Sequence, residues 1–369
     1  VVFESGATRI GLEIEQTLLA GVQMKGGRRS QVLTHAAIQT LPEGLIAEGE
    51  VLDVAGLAGQ LKTFWKRAGF RQRRVQIGIS NQKIVVRAMD LPVMEEGELR
   101  AAIEFQAQEA IPIPVEEAVL DYQVMSTFTA EDGSPKQKIL LVAAQKDMVK
   151  RFVEVARKAT LTVDGIDLQA FALARALEVE PSFEADAPEP GAVAMANIGT
   201  GLTNLVVVHD GVPQFTRVIN LGSEAMIESL ASDCGVDTEE AWRLAVTVGL
   251  ARPGSSDGLP DDVGDELANQ VRLSLENSCE TFADEIRRSI DYYHTQSRGT
   301  EVVRVLVTGD GALVRDLPEY FLQVLHVETA VGDPLQRIAE NKSKLTEAEL
   351  DVLAPRLSIA IGLALEDLD

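Results

Sequence analysis

The sequence predicts an α/β protein of two similar lobes, and three observations carry that prediction. A strand–turn–strand pattern with small or hydroxyl residues at the bend occurs near the start, in "RIGLEIEQTLLAGV" (residues 9–22). The pattern returns in "AVAMANIGTGLTNLVVVHDGVPQFTRVINLG" (residues 192–222), after an acidic, proline-bearing segment, "EVEPSFEADAPEPG", from Glu178 to Gly191. A third turn of small residues, "TGDGALV" (308–314), follows another apolar run. Two such lobes facing each other leave a cleft with turns 15–17, 199–201 and 309–311 at its walls, and clefts of this kind are the default place for a ligand.

The elements follow in order. After the first hairpin comes a loop through Leu41–Leu45, then a helix over Val54–Gly69, whose apolar positions Leu57, Leu61, Phe64, Trp65 and Ala68 fall near helical spacing. "RRVQIGIS" (73–80) is a strand. Residues 81–160 hold a cycle of their own. It begins with a strand in "KIVVRAMDLP", followed by a helix over Glu95–Ala110 with acids in its first turn, stopped by Pro112 and Pro114. Two strands, "AVLDYQVMSTF" and "KQKILLVAAQ", flank the polar turn 131–135, and a helix over Asp147–Ala159 ends the cycle. The strand "LTVDGIDL" and a helix over Ala170–Leu177 complete the first half. The acidic segment then reads as a linker, with the main boundary at 181–190.

In the second half, a helical region over Ser223–Glu285 is broken by "ARPGSSDGLPDD" (251–262). The longest helix, Leu267–Tyr293, has apolar stations at Val271, Leu275, Phe282, Ile286 and Ile290. "EVVRVLVTGDGALVRDLPEYFLQVL" reads as strand, turn and helix, and "RLSIAIGLALEDL" (356–368) as a closing helix.

Composition excludes several function classes. The chain has 369 residues, 46% hydrophobic and 25% charged, room for two or three domain-sized units with their own cores. A net charge of −23 and a pI near 4.6 repel nucleic acid and anionic lipid. Partners with basic or neutral docking surfaces are expected instead. Cys234 and Cys279 lie outside any CxxC pattern and read as reduced packing residues. His35, His209, His294 and His326 have no ligand-like spacing, which argues against a catalytic metal centre. No apolar run reaches the ~18 residues of a spanning helix. The opening Val1–Ser5 has neither the basic nor the apolar part of a signal peptide, and a first residue other than methionine suggests a true N-terminus upstream. The expectation is a cytoplasmic protein, which another chain must bring to a membrane if it works at one.

The three turns in this order resemble the actin-like ATPase superfold, an α/β fold of two lobes with a central nucleotide cleft. Narrower stretches, "SNQKIVVRAMDLP", "AIEFQAQEAIPIPVEEAVLDYQV" and "DEIRRSIDYY", resemble the PilM family of type IV pilus assembly proteins, kin to the division protein FtsA. The resemblance covers nearly the whole chain. It implies a first-lobe core from 1–80 with 161–180, an extra small subdomain in that lobe at 81–160, a second-lobe core from 191–225 with 299–369, and a helical insertion at 226–298. It also implies a cytoplasmic adaptor of the inner-membrane pilus platform, binding the cytoplasmic tail of a bitopic PilN-like protein, with ATP and Mg²⁺ as the cleft's ligands.

On the family's pattern, the nucleotide-side positions fall on Gly11, Glu13 and Thr17 in the first hairpin and on Asn197, Gly199, Thr200, Gly201 and Thr203 in the second. Gly309, Gly311 and Ala312 occupy the adenosine turn, and Glu285 and Arg288 the long helix. Glu13 would be the metal-side carboxylate. Several positions depart from the pattern. Glu15 stands where a glycine would let the turn approach a phosphate, and its charge repels one at short range. Ala20 replaces a lysine, Asp310 replaces a glycine, and Asn197 replaces an aspartate. An amide cannot serve as a general base.

Two readings of the turns therefore stand side by side: a cleft that still holds a nucleotide, and ordinary strand connections around a degenerate one. Arg287 and Arg288 likewise read either as ribose contacts or as surface partners of Asp284 and Glu285. For the partner, Ile111, Pro112, Ile113, Pro114 and Tyr122 mark apolar surface beside a helix end. They are read either as core or as a groove for an apolar tail, with Glu109, Glu116 and Glu117 favouring a basic residue or a free amine on the tail. The competing function is an active Mg-ATP-dependent ATPase or kinase of the same superfold. A self-anchored filament former is disfavoured, because the tail ends acidic and lacks a basic amphipathic helix.

Overall fold

A computed structural model describes residues 8–27, 30–130, 132–178, 191–250, 259–296 and 300–365. The expected linker over 181–190, residues 251–258 of the expected Gly/Pro/Asp loop and the tail 366–369 lie outside the described residues.

The first half opens with β1 (Thr8–Ile14), β2 (Leu18–Gly27) and β3 (Ser30–Thr40). Next come the small pair β4 (Ile46–Ala47) and β5 (Glu50–Val51), then α1 (Val54–Ala68) and β6 (Arg74–Ile79). Both ends of α1 are written locally. The Asp53 side chain accepts the N–H groups of Ala55 and Gly56, both at 2.9 Å, and Gly69 takes the left-handed conformation (φ 76°) that ends the helix. The next cycle is β7 (Val85–Pro92), α2 (Glu96–Ala110), a short 3-10 turn at Val115–Glu117, β8 (Ala118–Thr129), β9 (Pro135–Gln145) and α3 (Lys146–Lys158). β10 (Thr162–Leu168) and α4 (Gln169–Ala176) end the first half.

The second half runs β11 (Ala192–Ile198), β12 (Thr203–His209), β13 (Val212–Ile219), α5 (Ser223–Cys234), α6 (Thr238–Thr247) and α7 (Asp265–Gln296). Then come β14 (Val302–Thr308), α8 (Leu317–Leu325), β15 (Glu328–Val331), β16 (Glu340–Asn341) and α9 (Glu347–Ala364).

The two large sheets share one topology. In the first, the order is β10-β6-β1-β2-β3-β16; in the second it is β13-β12-β11-β14-β15. Each has three consecutive antiparallel strands and two parallel ones beside the first of them. β16 crosses from the second half to pair with β3. The third sheet, β7-β9-β8, is antiparallel and packs on α2 through Leu99, Ile103, Ala107, Ile139 and Leu141.

Helices α4 and α9 lie between the two large sheets. Leu18, Val22 and Met24 of β2 share one buried cluster with Ala172 and Leu173 of α4, Met195 and Val206 of the second sheet, and Leu357 and Ile361 of α9. Close approach is possible because the contact points are small. A Cβ on Gly362 would lie 1.8 Å from the Ala172 carbonyl oxygen, and one on Gly11 would lie 2.1 Å from that of Ala360.

Several elements were not expected or begin elsewhere. β3 and β15 extend the sheets beyond the expected strands. α9 starts at Glu347, well ahead of Arg356, because Pro355 lies inside the helix rather than at its edge. The helix start is set upstream by a capping box, in which the Thr346 hydroxyl accepts the Glu349 N–H and the Glu349 carboxylate accepts that of Thr346.

The α4–α9 contact yields a test. Gly362→Val should cost about 3 kcal/mol or more in urea unfolding, since backbone must move to admit the side chain. Gly59→Ala, at an exposed α1 position with open space around it, should stabilise by roughly 0.5–1 kcal/mol. Equal effects at the two sites would refute this account of the crossing.

Candidate functional site

The cleft is built where β1, β11 and β14 end, and each end delivers one turn. The first turn closes with the Glu15 N–H donating to the Leu18 carbonyl at 2.8 Å. The second closes with the Gly199 N–H donating to the Leu202 carbonyl at 3.0 Å, and α5 starts directly on it. The N–H groups of Ser223 and Glu224 bond the carbonyls of Gly199 and Thr200. The third turn is held down by the Gly309 N–H on the Pro355 carbonyl at 2.9 Å, with Gly309 at φ 79°. A Cβ on Gly309 would meet the Ile198 carbonyl oxygen at 2.4 Å, so the third turn lies tight against the end of β11.

The turns of the two lobes touch. The Glu15 carboxylate crosses the cleft and accepts the backbone N–H of Thr200 at 2.8 Å. The Thr17 N–H donates to the Thr200 hydroxyl at 3.3 Å, and the Gln16 amide donates to Glu224 at 2.7 Å. Gly199 has room for this and for nothing else, since a Cβ there would lie 2.2 Å from Glu15 Oε1. Deeper in, the Ser80 hydroxyl donates to the Asn204 side-chain oxygen at 2.6 Å, and the Asn204 amide donates to Gln169 at 2.8 Å. This chain joins β6, β12 and α4, and all three residues are buried.

The electrostatics are acidic. Glu13 and Glu15 are buried and bond each other. Burial pushes the Glu13 carboxyl well above its ordinary range, and the adjoining Glu15 charge pushes it further. Burial also raises Glu15, against the pull of the Thr200 N–H. Glu15, raised to about 7, is the member of the pair that ionises more readily, and the more strongly raised Glu13 donates to it. Asp310, raised by burial, is held by an ion pair with Arg356 of α9. Asn197 accepts the Thr308 hydroxyl at 3.1 Å, while its amide nitrogen has no hydrogen-bond partner among the described residues. In front of the turns lies a cavity of about 360 Å³, lined by Gln16, Thr200 and Asn220 and by three carboxylates, Glu43, Glu224 and Glu228, with no Lys or Arg among its lining residues.

The structure brings Glu13, Thr17, Asn197, Gly199, Thr200, Gly201, Thr203 and Gly309 together around the cleft. Gly11 sits in mid-strand and lets α9 pack on β1. Thr203 donates to the Leu221 carbonyl, and Ala312 joins the second-lobe core. Gly311 packs on Ile198. Glu285 and Arg288 lie on α7 and are engaged in ion pairs. Glu285 bonds Arg217 of β13 and Arg288 of its own helix, both at 2.8 Å, and Arg287 bonds Asp284. β13 stands three strands from β14, about 14 Å across the sheet. A triphosphate needs free N–H groups, a cation and a metal-side carboxylate. Here the Thr200 N–H is taken by a carboxylate, and the nearby cation, Arg356, is taken by Asp310. The donor set does not fit the nucleotide that the fold implies.

At the other candidate surface, Ile111 is core, while Ile113 and Tyr122 are half-buried against that core. Pro112 and Pro114 are exposed. Lys146 pins the turn by donating to the Glu116 carbonyl at 2.6 Å, so the turn borders α3, which packs into the first-lobe core through Met148, Phe152 and Val155. The exposed apolar residues nearby are Phe105 on α2 and Val119, Val124 and Phe128 on β8, none of which the helix-end pattern singled out.

Comparison with known proteins decides the family. The sequence matches the family described as "Type IV pilus assembly protein PilM" over residues 11–368. The chain belongs to the PilM family. The solved PilM-PilN type IV pilus biogenesis complex superposes with a TM-score of 0.79 at 25% identity, covering 96% of this chain and 97% of that one. More distant structures carry the same actin-like fold. They include the ethanolamine utilization protein EutJ from Carboxydothermus hydrogenoformans (TM-score 0.55, 14% identity, 97% and 89% covered) and MreB5 of Spiroplasma citri bound to ADP (TM-score 0.52, 12% identity, 96% and 94% covered). The cell division protein FtsA of Bacillus subtilis is 21% identical over 309 residues, 77% of this chain and 66% of FtsA. FtsA of Borreliella burgdorferi is 22% identical over 287 residues, 70% of this chain and 64% of FtsA. The chain thus spans slightly under two thirds of the length of these FtsA relatives. Among the described residues no helix is long and apolar enough to cross a membrane.

The buried bridge predicts a measurable loss. Asn204→Ala leaves the Ser80 hydroxyl and the Gln169 oxygen without this partner and should cost about 1–3 kcal/mol in urea unfolding. A loss within ~0.5 kcal/mol, the range of an ordinary surface change, would show that the bridge does not hold the lobes.

Proposed function

We propose that this PilM-family chain is an adaptor of the type IV pilus inner-membrane platform that binds the cytoplasmic tail of a bitopic PilN-like protein. The likeness over nearly the full length to a PilM solved with PilN carries the reading. The tail docks where the turn Ile111–Glu117 borders α3, between the small subdomain at 81–160 and the first-lobe core. Ile111 anchors the turn from inside. Pro112, Pro114, Ile113 and Tyr122 offer the apolar contact, and Glu109, Glu116 and Glu117 draw a basic residue or amine on the tail. The chain works in the cytoplasm and meets the inner membrane through this partner.

The same reading makes the cleft degenerate. Glu15 uses the N–H a phosphate would need, Asn197 cannot take a proton, and Ala20 supplies no charge. Efficient ATP hydrolysis is not expected of it; the alternative, an active Mg-ATP-dependent ATPase or kinase, draws on the retained Glu13, Gly199, Gly201 and Thr203 and on actin-like neighbours such as the ADP-bound MreB5.

A synthetic peptide of the PilN-like tail should bind at micromolar or better affinity by calorimetry. Ile113→Asp and Tyr122→Ala should each weaken it by about tenfold or more, with unchanged far-ultraviolet circular dichroism. No binding to the folded protein, or equal binding by both variants, would refute the docking site.

A further inference from the structure

We propose that the Glu15 carboxyl group takes the place of a phosphate at the second turn and clasps the two lobes shut without a nucleotide. This reading concerns the cleft alone and does not depend on where the tail docks.

The geometry is that of an occupied anion site. The Thr200 N–H points at Glu15 Oε2 at 2.8 Å, and the space that Gly199 leaves by lacking a Cβ is filled by the same carboxylate. α5, twelve residues long, starts on this turn, its Ser223 and Glu224 N–H groups bonding the Gly199 and Thr200 carbonyls. The Thr200 N–H is what the turn offers an external anion, and here a carboxyl group arrives on a side chain from the opposite lobe. Its neighbours leave the Thr200 contact to Glu15 alone. Glu13 bonds Glu15, and Asp310 is balanced by Arg356.

The contact does not act alone. Thr17 on Thr200, Gln16 on Glu224, and Asn220 on Glu48 at 3.2 Å all join the first lobe to the second around the same turn. Each is weak, but together they fix the angle between the lobes. A phosphate can reach the Thr200 N–H only by displacing the Glu15 carboxylate, so ligand and clasp are mutually exclusive. The closed arrangement is then the resting state of this chain rather than a response to a ligand. A glycine at position 15, by contrast, would free both the N–H and the space.

The test uses the full chain with Glu15→Gln and Glu15→Gly, read by site-resolved hydrogen exchange and by thermal shift with Mg-ATP and with inorganic triphosphate. In the parent protein and in Glu15→Gln, which retains an acceptor oxygen, the Thr200 amide should exchange slowly, and the melting temperature should ignore both ligands. In Glu15→Gly, exchange at Thr200 should rise at least tenfold. Its melting temperature should climb with triphosphate concentration, as binding to the folded state requires. If Glu15→Gly does not fold, Glu15→Ser, which keeps a small side chain, carries the same readouts. The proposal is overturned if the parent protein is stabilised by triphosphate as much as the variant is. A folded variant that keeps Thr200 protected, or gains no triphosphate response, overturns it equally.

Discussion

The crossing of α4 and α9 sets the spacing on which the rest of the molecule depends. Gly362 lies against the Ala172 carbonyl with no room for a Cβ. Both helices are filled with small residues, among them Ala170, Ala174, Ala360 and Ala364. Because the pair is packed between the two large sheets, its thickness fixes how far apart those sheets stand. The strand ends that carry the three turns are brought to within hydrogen-bond reach by that thickness. A larger residue at the crossing would separate Glu15 from Thr200 before it disturbed either sheet.

A chain of net charge −23 that buries three carboxyl groups at its centre must compensate each of them. Glu13 and Glu15 share a hydrogen bond, with burial driving Glu13 to its neutral form; Glu15 also takes a backbone N–H, and Asp310 takes a guanidinium. The Thr200 N–H and the Arg356 guanidinium are thus both held by the protein's own carboxyl groups.

The small three-stranded sheet and its helix carry the turn that we propose meets the tail. Ile111 is buried where α2 ends, and the two prolines after it stop the chain from continuing the helix, so the turn is presented in one conformation. Lys146 ties the turn to α3, which is itself part of the first-lobe core. Any force on the turn is thus passed to the lobe rather than absorbed by a flexible loop.

The sequence by itself determined the repeated strand–turn–strand plan, the helices with strong apolar spacing such as α1 and α7, and the family. Each of these is written in neighbouring residues, where period, glycine and proline act locally. It also showed Glu15 as an anomaly, without showing what the carboxylate does. β3 was less legible, because its mixed small and polar residues have no clean alternation, and the true start of α9 was hidden by Pro355. The partners of Glu15, Asn204 and Arg356 were decided only in three dimensions, by residues far away along the chain: Thr200, Ser80 and Asp310. Arg288 bonded Glu285 of its own helix, and Glu285 also took Arg217 of β13. Contacts of that range follow from how sheets and helices stack, and no local pattern encodes the distance between two lobes.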